Sequence, residues 1–295
     1  FSILLYPFSL IFSSIIFLKK YSTRQLKFEI PIICVGNIYL GGTGKTPSSI
    51  FIANKLKKIG KNPVIIRKFY KNHFDEHELI RENFRQPILN SKRQQAIFEA
   101  QKKNFDSVIL DDGFQDYKIK KNLNIICFNQ KQKLGNSLVL PAGPLRENLS
   151  SLKNAHLVII NGKKDIEFEN KLFKYNSNLE IFYSTYIPEN INNFKNKKIL
   201  AVAGIGNPTN FFDLLNSHEI IIEKKMIFPD HYSFSKEEIS NIIDVARKNN
   251  LQIIMTEKDY YRIKDFNFNE IKFLKLKMKL ENEDKFFKRV LDLYV

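Results

Sequence analysis

The stretch Gly41-Gly42-Thr43-Gly44-Lys45-Thr46-Pro47 decides the fold, and it is entered from the apolar residues 30–36. This order predicts a strand that turns through a glycine-rich loop into a helix. Closely spaced glycines let successive backbone N–H groups point inward around phosphate oxygens. The Lys45 ammonium can then reach the β- and γ-phosphates, and the Thr46 hydroxyl can bind Mg²⁺. The stretch therefore predicts a phosphate-binding loop in which the nucleotide contacts are Gly41, Gly42, Thr43, Gly44, Lys45 and Thr46.

The residues around this loop depart from the usual motif at one position. The glycine normally found five residues before Gly44 is Tyr39, so Gly41 and Gly42 have to supply the backbone freedom. Pro47 suits the first position of the following helix, where proline is well tolerated. A plain glycine-rich turn is the alternative, but such a turn does not require Gly-Lys-Thr directly before a helix.

Short apolar runs alternate with helical segments on the carboxyl side of the loop. The predicted strands of this first series are residues 64–66, 107–110, 125–128 and 157–160, and its predicted helices are residues 46–58 and 94–103. A second series has strands at 199–203, 220–222 and 253–255, with a helix opened by a capping box of Ser235 and Glu238. Such alternation is typical of parallel sheets covered on both faces.

The fold class that follows is α/β, with a P-loop NTPase-like parallel-sheet domain and a second, smaller α/β domain. Asn, Ser and Pro gather near residues 176–196, where a connection between domains is expected. We predict that residues 1–178 form the phosphate-loop domain and that residues 179–295 form the second domain.

The first eighteen residues carry no charge and are followed by Lys19-Lys20. One helical stripe is predicted to hold the more polar side chains Ser2, Tyr6, Ser9 and Ser13, with bulky apolar residues over the remaining face. This pattern favours a helix that lies in a membrane interface. A transmembrane anchor is disfavoured by Pro7, and a secretory signal by the missing basic start and cleavage site. A transmembrane anchor and an ordinary core helix are the alternatives.

The composition sets broad limits on partners and compartment. A formal charge of +16 and a pI near 9.6 fit nucleic acid, an anionic membrane face or phosphorylated small substrates. Lys and Asn are abundant throughout and no single basic tract stands out, so the charge does not choose among these partners. The two cysteines, Cys34 and Cys127, lie inside apolar runs. Buried reduced thiols are therefore expected, and neither a disulfide nor a cysteine metal site.

Two carboxylates, Asp111 and Asp112, follow the predicted strand 107–110 directly. Ligands sit at the carboxyl ends of strands in open α/β sheets. An acidic residue in this place is the usual second partner of a phosphate loop and holds Mg²⁺ directly or through water. Together with Thr46, these carboxylates are the predicted metal-binding residues, and a surface turn is the alternative.

Six motifs occur in an order that resembles one enzyme family. They are Gly41 to Pro47 preceded by Val35-Gly36-Asn37, Asp111-Asp112-Gly113-Phe114-Gln115, the loop Leu140 to Glu147, Ala203-Gly204-Ile205-Gly206-Asn207-Pro208, Phe228-Pro229-Asp230-His231-Tyr232-Ser233-Phe234, and Thr256-Glu257-Lys258-Asp259. In this order they resemble the tetraacyldisaccharide 4′-kinases of lipid A biosynthesis. The resemblance extends over the chain from the apolar N-terminal helix onward.

The resemblance implies a lipid kinase that uses ATP and Mg²⁺. The γ-phosphoryl group of ATP would pass to the 4′-hydroxyl of the tetraacylated glucosamine disaccharide 1-phosphate, a precursor of lipid A. The expected location is the cytoplasmic face of the bacterial inner membrane, in a peripheral or monotopic attachment. The implied partners are this lipid-linked disaccharide and the inner membrane leaflet, with neither nucleic acid nor an obligate protein partner.

The resemblance also implies roles for single residues. By this match Asp75 accepts the hydroxyl proton, His231 orients it, and Lys45 completes the catalytic set. Four residues fall at substrate-binding positions: Arg67, Glu76, Arg146 and Glu147. Glu147 would orient Arg146.

This chain departs from the family pattern near the expected acceptor site. Phe74 stands where glycine is common, the segment 67–70 lacks two glycines, and Asp116 replaces the usual histidine.

Three other functions remain as alternatives. A P-loop GTPase is suggested by Asn161-Gly162-Lys163-Lys164-Asp165, although its spacing differs by one residue from the guanine-reading Asn-Lys-x-Asp. A nucleic-acid-binding ATPase is suggested by the net charge and an aromatic content of 13%, and it would need aromatic and basic side chains interleaved on one face. A structural membrane-attached protein with a degenerate site is disfavoured by the intact Lys45 and Thr46.

Overall fold

The structure is a computed structural model that describes residues 2–70 and 74–294. Phe1, at which the predicted helix and first domain begin, lies outside these residues. The helices described are α1 (Ser2–Ser22), α2 (Lys45–Lys58), α3 (Phe74–Asn83), α4 (Arg93–Lys102), α5 (Ile166–Phe173), α6 (Pro208–Ser217), α7 (Lys236–Lys248), α8 (Glu257–Ile263) and α9 (Glu283–Leu291). The strands described are β1 (Ile32–Gly36), β2 (Pro63–Lys68), β3 (Ile88–Asn90), β4 (Ser107–Asp111), β5 (Leu123–Asn129), β6 (Leu157–Asn161), β7 (Glu180–Pro188), β8 (Lys198–Ala203), β9 (Ile221–Ile227), β10 (Gln252–Thr256), β11 (Ile271–Leu274) and β12 (Leu276–Leu280).

The strands form two sheets and confirm the predicted α/β fold class. One sheet has the order β12-β7-β6-β5-β1-β4-β2-β3, and the other has the order β11-β10-β8-β9. In the first sheet β1 runs parallel to both β4 and β5, and every residue of these three strands is buried. Strands buried on both faces are the mark of a parallel sheet covered by helices on each side.

Compactness divides the chain into two units that are not continuous in sequence. Unit 1 consists of Phe1–Phe69, Pro87–Thr185 and Met278–Val295, and unit 2 consists of Tyr70–Gln86 and Tyr186–Lys277. The predicted domains had a single boundary at residue 178, so three segments, 70–86, 179–185 and 278–295, lie in a different unit from the one predicted. The chain leaves unit 1 after β2 and returns to it at Pro87, and its last helix, α9, belongs to unit 1.

Helix α1 is joined to the rest of unit 1 through Ser9, one residue of the predicted polar stripe, whereas Tyr6 of that stripe is exposed. The Ser9 hydroxyl is buried, donates a hydrogen bond to the Val139 carbonyl over 2.8 Å and accepts one from the Ala142 N–H over 2.9 Å. Many apolar side chains elsewhere on the helix are exposed, Ile3 by 88% and Phe17 by 67%, whereas Phe12 packs against the core of unit 1. By length and composition the helix could cross a membrane. The exposure of its apolar face does not fit the alternative of an ordinary core helix.

Both cysteines are free and buried, as the sequence predicted. Burial raises the pKa of the Cys34 thiol to about 11 and that of Cys127 to about 12. Because the thiolate is the reactive form of cysteine, these thiols serve as small core side chains.

The predicted capping box opens α7 in unit 2. The Ser235 hydroxyl accepts a hydrogen bond from the Glu238 N–H over 3.1 Å, and the Glu238 carboxylate accepts one from the Ser235 N–H over 2.8 Å. Each partner thus satisfies a backbone donor that the first turn of a helix leaves open.

Ser235→Ala should lower the free energy of unfolding by about 1 kcal/mol, because the helix loses this cap. Ser240→Ala is the control on the same helix, since the Ser240 hydroxyl only donates back to the Lys236 carbonyl and its removal should change little. Urea titrations followed by circular dichroism measure both variants. Equal losses of stability would contradict the role of the cap.

Candidate phosphate-loop and carboxylate sites

The glycine-rich loop has the backbone geometry of a phosphate cradle. Gly44 takes a left-handed conformation with φ of 90° directly before α2, and Gly41 has φ of 114°. Helix α2 begins at Lys45, so Pro47 occupies its third position and not the predicted first. Proline fits there because the first four N–H groups of a helix have no partner within the helix. The amides at this end of α2 are therefore available to an anion.

Two asparagines, Asn37 and Asn161, fix the loop, a role that was not predicted from the sequence. The Asn37 amide donates to the Tyr39 carbonyl over 2.5 Å and to the Thr43 hydroxyl over 2.9 Å. Asn161, at the end of β6, donates to the Thr43 carbonyl and accepts from the Ser184 hydroxyl. The only sequence signal for this role of the two asparagines was their position directly after two core strands. These hydrogen bonds fix the conformation of the loop.

Asp111 is the buried acceptor beneath the loop. Its carboxylate is 0% exposed and accepts hydrogen bonds from the Thr46 hydroxyl over 3.0 Å and from the Ser49 hydroxyl over 3.1 Å. The Arg67 guanidinium makes an ion pair with the same carboxylate and donates to the Thr46 hydroxyl over 3.3 Å. Strand β4, strand β2 and helix α2 therefore meet at one carboxylate.

The oxygens of this cluster fit a magnesium ion. Mg²⁺ prefers oxygen ligands at about 2.1 Å in octahedral geometry, which places adjacent ligands about 3 Å apart. Thr46 Oγ1 and Asp111 Oδ2 have that separation, 3.0 Å. Of the three residues that the sequence assigned to the metal, Thr46 and Asp111 therefore lie together.

Asp112, the third residue assigned to the metal, has different partners. Arg146 binds its carboxylate with two hydrogen bonds of 2.6 and 3.1 Å, and the Lys45 ammonium lies 3.9 Å from it. Burial alone would raise the pKa of Asp112, but Lys45 and Arg146 outweigh burial and hold this pKa below its usual range. The carboxylate is thus ionised and positions two cations beside the loop.

Arg93, which was not predicted as a site residue, also supports Asp112. Its guanidinium donates to the Asp112 carbonyl over 2.6 Å and lies 3.6 Å from the Asp116 carboxylate. Asp112 has a left-handed backbone with φ of 56°, a conformation that is uncommon for residues other than glycine. The hydrogen bond from Arg93 to the Asp112 carbonyl stabilises this uncommon backbone conformation.

Arg67 lies inside β2 and is 4% exposed. The sequence placed it just past the strand, at a position that binds substrate. The strand is longer than predicted because the Asp111 carboxylate on the adjacent β4 gives the guanidinium a buried partner. The structure thus places Arg67 beneath the phosphate loop.

Glu147 is buried, and burial raises the pKa of its carboxyl group, while hydrogen bonds with Tyr117 and Gln115 act in the opposite direction. Gln115 in turn accepts a hydrogen bond from Arg146 over 3.3 Å. The orientation of Arg146 that the sequence attributed to Glu147 therefore involves Gln115 as well as Asn37, which accepts from Arg146 over 2.9 Å.

Asp75 lies in unit 2, in the first turn of α3, and is 1% exposed. The Arg262 guanidinium donates to Asp75 Oδ2 over 2.6 Å, and His231 Nδ1 lies 3.5 Å from the same oxygen. The structure thus brings together the two residues predicted as base and orienting group. Burial alone would raise the pKa of Asp75, but His231, Lys258 and Arg262 hold it well below its usual range.

Glu76, the neighbour of Asp75, forms an ion pair of 2.5 Å with Lys258 from α8. Both residues belong to unit 2. The sequence assigned Glu76 to substrate binding, and the ion pair shows that this side chain also connects α3 to α8. The predicted boundary had placed Asp75 and Glu76 in the first domain, away from His231.

The segment that suggested a guanine-reading motif has a structural role here. The Asp165 carboxylate accepts a hydrogen bond from the Phe168 N–H over 3.0 Å and so caps α5, and it also pairs with Lys133 over 2.7 Å. This cap uses the carboxylate that would read the base in a P-loop GTPase, which removes support from that alternative.

The fold and the loop define a P-loop protein of the α/β class with an acidic partner strand. The family described as "Tetraacyldisaccharide-1-P 4'-kinase" matches residues 1–88 and 73–294. The chain belongs to this family of lipid A kinases, as the resemblance predicted.

Named relatives extend over most of the chain. The tetraacyldisaccharide 4′-kinase of Pelagibacter ubique is 41% identical over 291 residues, which cover 96% of this chain and 90% of that protein. The enzyme of Francisella philomiragia is 34% identical and covers 90% of this chain and 91% of its own length. A crystal structure of Aquifex aeolicus LpxK in complex with ATP has a TM-score of 0.75, 24% identity and coverage of 100% and 99% of the two chains. This last likeness supports the fold.

Asp111→Ala should lower the free energy of unfolding by about 3–5 kcal/mol, because the buried Arg67 guanidinium loses its carboxylate partner. Removing both charges, as Arg67→Met with Asp111→Leu, should recover part of the loss. Urea titration measures both, with the exposed Asp244→Ala as control. A single variant as stable as the control would contradict the importance of this ion pair.

Proposed function

We propose that this protein transfers the γ-phosphoryl group of ATP to the 4′-hydroxyl of a tetraacylated glucosamine disaccharide 1-phosphate. Family membership supports the reaction class, and the named relatives support the acceptor. The proposal is carried by two separate observations, an intact phosphate loop in unit 1 and a buried, ionised carboxylate, Asp75, in unit 2.

The phosphate loop would bind the triphosphate of ATP. The amides that open α2 would contact phosphate oxygens, and the Lys45 and Arg146 cations would neutralise their charge. Asp112 keeps both cations beside the loop through its contacts of 3.9 and 2.6 Å. The complex of the Aquifex aeolicus relative with ATP supports adenine nucleotide as the donor.

Thr46 and Asp111 would hold Mg²⁺, which supplies positive charge for the phosphate oxygens when it is bound. The Arg67 guanidinium already neutralises Asp111 from within the core. We therefore assign Arg67 to support of this carboxylate, and we retain Glu76 and Glu147 as proposed substrate-binding residues.

Asp75 would be the general base. Its Oδ2 receives Arg262, whereas its Oδ1 is buried with no hydrogen-bond partner among residues 2–70 and 74–294. A buried acceptor of this kind is costly unless a ligand supplies a donor. The 4′-hydroxyl would donate to it and pass its proton to the carboxylate. The hydroxyl oxygen then bonds to the γ-phosphorus, the bond to the bridging oxygen breaks, and ADP leaves.

Helix α1 would attach the protein to the cytoplasmic face of the inner membrane in a peripheral or monotopic manner. Its exposed side chains form an apolar face, and Lys19 and Lys20 follow at its end. An apolar face buries in the boundary of the acyl chains, and each nearby lysine adds about 1 kcal/mol of attraction to anionic lipid.

Phe8→Ser with Ile11→Ser should weaken binding to vesicles that contain phosphatidylglycerol, because about 3 kcal/mol or more of apolar burial is lost. Vesicle sedimentation measures the bound fraction. Phe98→Ser, an exposed phenylalanine on α4, is the control. Unchanged binding of the double variant would contradict attachment through α1.

Lys45→Ala and Asp75→Asn should each lower phosphoryl transfer by about 10²–10⁴-fold, because one removes charge neutralisation and the other removes the base. The assay follows label from γ-labelled ATP into the disaccharide in detergent micelles. Lys58→Ala and Asp284→Asn are exposed controls. If both site variants transferred label at the control rate, the site assignment would be wrong. Transfer from GTP in preference to ATP would contradict the donor.

A further inference from the structure

Arg262 lies on α8 and connects three elements of unit 2. One guanidinium nitrogen donates to Asp259 Oδ1 over 2.6 Å and to the Gly204 carbonyl over 2.7 Å. The other donates to Asp75 Oδ2 over 2.6 Å. The side chain is 9% exposed. Asp259 and the Gly204 carbonyl therefore fix the Arg262 guanidinium, and the guanidinium in turn binds the Asp75 carboxylate.

The carboxylate behind Arg262 is itself rigid. Asp259 Oδ2 accepts a hydrogen bond from the Thr256 hydroxyl over 2.6 Å and one from the Gly204 N–H over 2.9 Å. A Cβ atom at Gly204 would lie 3.0 Å from Asp259 Oδ1, so the end of β8 approaches this carboxylate as closely as glycine permits. The motifs around Gly204 and Thr256–Asp259, to which the sequence gave no role, thus build one support.

The hydrogen bond from Arg262 distinguishes the two carboxylate oxygens of Asp75. Oδ2 accepts a hydrogen bond from Arg262, whereas Oδ1 is buried and has no hydrogen-bond partner within the described part of the chain. His231 Nδ1 lies 3.5 Å from Asp75 Oδ2 and 3.5 Å from the Arg262 guanidinium, a separation at the outer limit of a hydrogen bond. The shorter and more direct contact with the carboxylate is that of Arg262.

We infer that Arg262 is a positioning residue for Asp75: it fixes the carboxylate plane through Oδ2 and leaves Oδ1 directed to the acceptor hydroxyl. This inference rests on the proposed role of Asp75 as base. A misplacement of about 1 Å in such a group can slow a reaction by about 10²-fold. Arg262 would therefore act on the rate of transfer and not on the binding of ATP.

The guanidinium also separates two buried carboxylates. Asp75 and Asp259 both face Arg262, and the other charged or titratable groups around Asp75 are His231, Lys258 and its neighbour Glu76. Without Arg262, the two carboxylates lose the cation that they share, and His231 and Lys258 act on Asp75 alone. Such a pair takes up a proton more readily. Loss of Arg262 should thus raise the pH below which the base is protonated.

Lysine cannot replace this arrangement. A guanidinium fork reaches two carboxylates and a carbonyl at once, whereas an ammonium is a single point of charge on a flexible chain. Arg262→Lys should keep the charge beside Asp75 and lose the geometry, and Arg262→Gln should lose both. The two variants therefore separate charge from position.

The test measures kcat and KM for ATP against pH in the micelle assay with the full chain. We expect Arg262→Gln to lower kcat at neutral pH by about tenfold or more, while KM for ATP stays within about twofold of the wild-type value. In the plot of kcat against pH, the acidic limb is the range in which kcat falls as the base becomes protonated. We expect this limb to move to higher pH by about one unit or more. Arg262→Lys should lower kcat and leave the acidic limb near that of the wild type. Arg247→Gln, an exposed arginine on α7 that pairs with Glu270, is the control.

The double variant Arg262→Gln with Asp75→Asn decides whether Arg262 acts through Asp75. We expect it to be no slower than Asp75→Asn alone, because residues that act as a unit are not additive. The inference would be overturned if the loss of kcat in the double variant equalled the product of the losses in the two single variants. It would also be overturned if Arg262→Gln had the kcat and the acidic limb of the wild type. If Arg262→Gln does not melt cooperatively, the decision passes to Arg262→Lys, and a kcat within about twofold of the wild type would overturn the inference. Full activity of Asp75→Asn would instead refute the proposed base.

Discussion

The contact of Thr46, Ser49 and Arg67 with the buried Asp111 is the constraint on which the first unit depends. A carboxylate at the end of a core strand is costly to bury unless partners replace the lost water. Here the partners come from a neighbouring strand and from the helix that follows the phosphate loop. The requirement to satisfy one charge therefore fixes where the loop ends and where α2 begins.

Arginines pair with several buried or half-buried carboxylates in both units. In unit 1, Arg67 serves Asp111 and Arg146 serves Asp112. In unit 2, one guanidinium serves Asp75 and Asp259 together. Because a guanidinium is always charged and offers several donors in a fixed plane, each pair sets an orientation as well as a charge. The chain thus uses the same chemistry to position the carboxylates beside the phosphate loop and the proposed base.

The fold was predictable wherever the sequence carries a periodic or punctuated signal. The strands β1, β4, β5 and β6 are continuous apolar runs, and the glycines of the phosphate loop and the capping box of α7 have fixed spacings. The allocation of α3 to unit 2 was not predictable, because its residues are largely polar and nothing local marks the two crossings between units. The same holds for Arg67 and Arg262, whose partners lie 44 and 187 residues away in sequence.

The two hydrogen bonds of Ser9 have a consequence for how this enzyme meets its acceptor. They tie the apolar helix to the segment 139–142, four residues ahead of Arg146. Under the proposed attachment, diffusion is confined to a plane, and the frequency of encounters follows the surface density of the glycolipid and not its concentration in bulk water. Crowding of the leaflet by other lipids would then act as a dilution of the substrate.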